Sequence, residues 1–158
     1  MMIRRSLLIF VLFFATAQVC LAANVPMNIS ATVLSKSICR FVTKTATLDF
    51  GNLDPTSPSD VVVNATLTLR CQGSANPATY LITDDDGLYE TGVDGNRMQH
   101  ATIPGNFLPY AVTYTPATAT IPKNINQSLT ITGTLLGADY ATAISGVYND
   151  TVTLTIAP

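Results

Sequence analysis

The amino-acid sequence predicts an all-β fold, a sandwich of short strands, on three observations. Apolar residues recur at every second position in several separate runs, which is the period of a half-buried strand. These runs are rich in Thr, Val, Ile, Leu and Ala, and Pro, Gly and Asn punctuate them. No window carries the 3.6-residue apolar stripe of an amphipathic helix.

Each element can be justified in turn. Arg4 and Arg5, then the apolar run Leu7 to Ala15, then the small residues Cys20 and Ala22 predict a secretory signal peptide over 1–22, cleaved after Ala22. The apolar run falls short of the roughly 20 residues that a membrane span needs. Ala17-Gln18-Val19 makes a poor lipobox ahead of Cys20. Next, Val25, Met27, Ile29, Ala31 and Val33 alternate with Asn24, Pro26, Asn28, Ser30 and Thr32. A strand is expected near Cys39 to Phe50, closed by the turn Gly51-Asn52-Leu53-Asp54-Pro55.

The longest alternation places Val61, Val63, Ala65, Leu67, Leu69 and Cys71 on one face, with Val62, Asn64, Thr66, Thr68 and Arg70 opposite. A shorter strand is expected over Thr79 to Thr83, broken by Asp84-Asp85-Asp86-Gly87. Leu108, Tyr110, Val112 and Tyr114 alternate, and so do Leu129, Ile131 and Gly133. Thr113 to Thr120 reads as a strand end running into a loop, because Pro116 and Pro122 limit ladder bonding. The last run turns Val152, Leu154 and Ile156 inward against Thr151, Thr153 and Thr155.

Once the signal is removed, Cys39 and Cys71 remain as an even pair in an oxidising compartment, and a disulfide is expected between them. By chain-entropy reasoning that loop closure is worth roughly 3–4 kcal/mol. Six of the eight basic residues then stand against ten acidic ones, a balance of about −4. Nucleic acid needs clustered Lys and Arg, so it is not an expected partner. No apolar run after the signal is long enough for a membrane span. The length that is left suits one domain.

Catalysis leaves a constellation of base, nucleophile or metal ligands, and none is legible here. His100 is the one histidine and reads as a surface residue. Asp84, Asp85, Asp86 and Asp94 match no calcium-loop spacing and read as an acidic, solvated turn. No enzyme activity, cofactor or metal is expected.

The alternating segment at 24–33 admits two readings. One is an ordinary first strand, although Pro26 cannot donate to a two-sided ladder. The other is an extension that adds itself to another subunit's sheet. Burying Val25, Met27, Ile29 and Val33 would contribute about 1.5–3 kcal/mol each, before the cost of ordering the segment.

Several ordered pieces are similar to a known family. They are the first cysteine followed by Leu48-Asp49-Phe50-Gly51-Asn52-Leu53-Asp54-Pro55, then Leu69-Arg70-Cys71-Gln72-Gly73, Asn96-Arg97-Met98 and Leu108-Pro109-Tyr110. Ile131-Thr132-Gly133-Thr134 and the run Gly146 to Ile156 complete the set. On these the chain resembles the spore coat protein U domain family, which includes subunits of archaic chaperone–usher pili.

The resemblance implies an immunoglobulin-like sandwich lacking its last strand. It also implies a periplasmic chaperone and an outer-membrane usher as partners, with other copies or related pilus subunits. The chain would leave through the periplasm for an extracellular fibre on the cell surface, with a role in attachment and biofilm formation. Residues 23–37 then become a donor-strand extension carrying Val25, Met27, Ile29, Ala31 and Val33, and 38–158 the pilin domain. Val152, Leu154 and Ile156 become the edge of an acceptor groove. The alternatives are a secreted, spore-coat-like structural protein and a tip adhesin that binds a surface or glycan. The chain departs from the family in having no Trp and in its Asp84–Gly95 loop.

Overall fold

Residues 26–34 and 36–158 are described by a computed structural model of the chain. The expected signal peptide, together with Ala23, Asn24 and Val25, lies outside them. The chain divides into two units between Val33 and Leu34. In the first, residues 26–33 form no strand, and Met27, Ile29 and Val33 are 78, 82 and 92 % exposed. Alternation alone does not make a strand, because the backbone groups need a ladder partner.

The second unit is an all-β, immunoglobulin-like sandwich. One layer has β1 (Ser37–Phe41), β2 (Val61–Gly73), β8 (Asn126–Leu135) and β6 (Ala111–Thr115), paired in that order and antiparallel throughout. The facing layer is split. One part joins β10 (Leu154–Ala157), β3 (Ala78–Asp84) and β7 (Thr118–Ile121), and the other joins β5 (Phe107–Pro109), β4 (Arg97–His100) and β9 (Tyr148–Asn149). A short helix, α1 (Gly137–Tyr140), follows β8.

Alternation in β2 and β8 puts Leu67, Leu69, Cys71, Leu129 and Ile131 inward, where they meet Ala78, Tyr80, Ile82 and Ile121 of the other layer. A smaller cluster around Leu108, Leu135 and Tyr140 packs with Phe50, Leu53, Met98 and Tyr148. Cys39 stands opposite Cys71 in the β1–β2 ladder, and the two are joined by the expected disulfide.

The chain departs from three expectations. The strand from Cys39 stops at Phe41, not Phe50. The Val42 and Thr43 N–H groups both donate to the Thr68 carbonyl, at 2.7 and 3.3 Å, and this bulge turns the chain away from β2. The stretch Thr118–Ile121 is a strand, not a loop. Pro116 sits in the corner where the chain leaves the β6 layer, and Pro122 falls after β7, so neither interrupts a ladder.

His100 is not on the surface either but 5 % exposed. Its Nδ1 accepts from the Thr102 and Ile103 N–H groups at 3.2 and 3.1 Å, which leaves Nε2 to donate to the Ser145 carbonyl at 3.2 Å. The ring also lies edge-on to Tyr148, 5.0 Å between centroids. It is a structural histidine that ties two loops together.

Candidate functional site

A groove opens between two segments of the second unit. Its first flank is the stretch after the bulge, residues 43–53. Leu48 and Phe50 are its inward residues, and they lie on β8 at Gly133. A Cβ at that glycine would stand 3.0 Å from Leu48 and 3.1 Å from Phe50, so the absent side chain is what lets them down onto the strand. Among the described residues, no backbone hydrogen bond joins 44–50 to a neighbouring strand.

The second flank is residues 148–154, continued beyond the groove by the end of β10. Its outer side is fully engaged: β9 pairs with β4, and β10 with β3. Between those strands, carboxylates replace the ladder. Asp85 Oδ1 accepts from the Thr153 N–H at 2.8 Å and from the Gly87 N–H at 3.1 Å. The Thr153 amide bond holds the Asp85 carboxyl below its ordinary pKa. Asp150 accepts from the Leu88 N–H at 2.9 Å and from the Tyr110 hydroxyl at 2.7 Å. Burial first, and then that bond to Asp150, push the Tyr110 phenol above its ordinary value. β9 and β10 are both edge strands, and their other side faces the groove.

The floor is apolar, with buried Leu67 and Ile131 and half-buried Phe41 and Val112 toward one end and half-buried Met98 with Tyr148 in the middle. Tyr114 also lines it, its hydroxyl buried without a hydrogen-bond partner among the described residues. Two confluent stretches of about 580 and 600 Å³ share Leu48, Phe50, Met98 and Tyr148. Ten extended residues along a flank measure roughly 33 Å. The arrangement can take up one extended segment, which would pair with an unpaired backbone edge on either side and fill the floor with alternate side chains.

Of the residues singled out from sequence, Val152 and Leu154 line this groove, and Ile156 packs on the core beyond them. Met27, Ile29, Ala31 and Val33 are exposed, and Val25 lies outside the described residues. Asp84, Asp85 and Asp86 spend their oxygens partly on backbone N–H groups, one of them the N–H of Asp94. Among the described residues no group of three potential ligands is placed to hold a metal ion. No helix among them is long and apolar enough to cross a membrane.

Sequence reasoning missed the whole first flank as an open edge. It also missed Met98, Tyr110 and Tyr114 as floor residues. The alternation through Leu108–Tyr114 marked Tyr110 and Tyr114 as inward-facing, no alternation marked Met98, and only the unfilled layer opposite makes the three a floor.

The model of the Spore Coat Protein U domain family matches residues 23–155. A comparison with curated proteins finds no match. Among solved structures, one described as "Chaperone-tip adhesin complex is vital for synergistic activation of CFA/I fimbriae biogenesis" is similar at 12% identity and a TM-score of 0.39. The similarity covers 78% of this chain and 41% of that one, so this chain spans less than half of its length.

Proposed function

The chain belongs to the Spore Coat Protein U domain family, and from that premise we propose that it is a structural pilus subunit that polymerises by strand donation. Residues 24–33 of one copy enter the groove of the next, and Val25, Met27, Ile29, Ala31 and Val33 face the floor. The edge carrying Val152, Leu154 and Ile156 receives them on one side, and residues 44–50 on the other. One observation carries this reading: two backbone edges without ladder partners face each other across an apolar groove.

Such edges are aggregation-prone until paired. A partner is therefore needed before assembly, and a periplasmic chaperone lending a temporary strand fills that role. An outer-membrane usher would then be the place of exchange, and the product a fibre at the cell surface. The chemistry asked of the protein is main-chain hydrogen bonding and burial of apolar surface, with no bond made or broken.

The test compares the mature chain with a form lacking residues 23–35 on unheated denaturing gels. The full chain is expected to give a heat-sensitive ladder and the truncated chain a single band. An unchanged ladder from the truncated form rules strand donation out.

A further inference from the structure

Resting on the strand-donation reading, we propose that successive copies also dock pole to pole, the basic end of one body against the acidic end of its neighbour's groove. The two poles lie at opposite ends of β2, whose 13 residues span roughly 40 Å.

At the Gly73 end, the Lys36 carbonyl accepts from the Ser74 and Ala75 N–H groups, and the Lys36 N–H donates to Ser74 Oγ at 2.8 Å. The Asn124 N–H donates to the Cys71 carbonyl at 2.8 Å and brings Lys123 to the same pole. Both lysines are exposed, and Arg40 stands opposite Arg70 a little farther along the ladder. No Asp or Glu occurs in 36–43, 70–79 or 119–128, the segments that build this pole.

The Val61 end has the opposite character. Asp60 accepts from the Gly137 N–H at 2.9 Å, and Ser59 bonds to the Tyr140 hydroxyl, which places the far stretch of the groove here. Asp49, Asp54, Asp60 and Asp139 belong to this pole. No Lys or Arg occurs between residues 45 and 69 or after Lys123. Ile144 and Val147 rim the groove mouth with exposed apolar surface, and the bond from the Ala101 N–H to the Val147 carbonyl brings exposed Ile103 beside them.

Tether length selects the occupant of that rim. Two residues lie between Val33, the last donor residue, and Lys36, which is fixed to its own body, and the three steps from one to the other reach at most about 11 Å. The donor's body must therefore abut the mouth from which its strand emerges. A donor antiparallel to 148–157 emerges at the acidic pole, so Lys36 and Lys123 of the donor meet Asp54 and Asp139 of the acceptor. A parallel donor would emerge past Ile156, beside the acceptor's own lysines, where like charges repel. The contact is heterologous, and such contacts propagate as filaments.

The test uses the purified mature chain and three charge-reversed forms: Lys36→Glu with Lys123→Glu, Asp54→Lys with Asp139→Lys, and all four together. The readout is the rate of ladder growth at low and high salt. Each pair alone is expected to slow growth about tenfold at low salt, a difference that disappears at high salt. The fourfold variant is expected to recover the wild-type rate. Equal rates for all four chains at low salt overturn the pole contact and leave strand donation standing. A ladder that also grows from the chain lacking 23–35 overturns both.

Discussion

Single residues here act mostly by satisfying backbone groups that the split layer leaves without a ladder. Asp85 is the clearest case, since the Thr153 N–H that it accepts lies in the gap between β9 and β10. Its folded pKa is lowered, so its contribution is fully present above the ordinary carboxylate value, about 3.9, and is lost as pH falls through the lowered one. Asp85→Asn is expected to lose less stability than the wild type between about pH 4 and 2. The side chain is exposed and screened, so the difference should be about 1 kcal/mol or less. Denaturant midpoints measured across that range check it. His100 was legible as a residue but not as a role. Its burial depends on the Thr102, Ile103 and Ser145 backbone around it, which no local pattern announces.

At the level of elements, the first flank of the groove is held between residues 44 and 50 by side chains. Leu48 and Phe50 rest on Gly133, and the backbone from 44 to 50 has no strand beside it. Gly133→Val should lift both side chains, costing roughly 1–3 kcal/mol by overpacking. It should also weaken uptake of an extended peptide more than a comparable core change such as Ile121→Val does. Denaturant unfolding and peptide titration together separate the two effects. The strands with two ladder partners were readable from alternation, as β2 and β8 illustrate. Residues 44–50 were not, because unpaired edges and paired strands share the same pattern. The β6–β7 corner was misread for a related reason: prolines at a strand's ends look the same in sequence as prolines within it.

For the whole molecule, an unfilled groove means stability that a strand from outside can supply. A synthetic peptide covering residues 24–35, added to the chain lacking 23–35, should raise unfolding stability by about 2.7 kcal/mol at a hundredfold excess over its Kd. A peptide with Ile29→Asp should need far higher concentrations for the same shift, since a buried carboxylate without a partner is costly. Thermal or denaturant unfolding against peptide concentration measures both. The division of charge between the poles belongs to the same scale. Lys36 and Lys123 are far apart in sequence and meet only because both flank the Gly73 end of β2.

Segment 24–33 and the groove were therefore legible to different extents. Sequence by itself determined the β class, the inward faces of β2, β8 and β10, the Cys39–Cys71 bridge and the amphipathic character of 24–33, because each depends on local alternation or on residue chemistry. Whether a given strand has a neighbour on both sides is a property of the folded layers. Only the tertiary structure decided that 44–50 and 148–154 face each other with unpaired edges, that Tyr110 and Met98 floor the space between them, and that the charges gather at opposite ends.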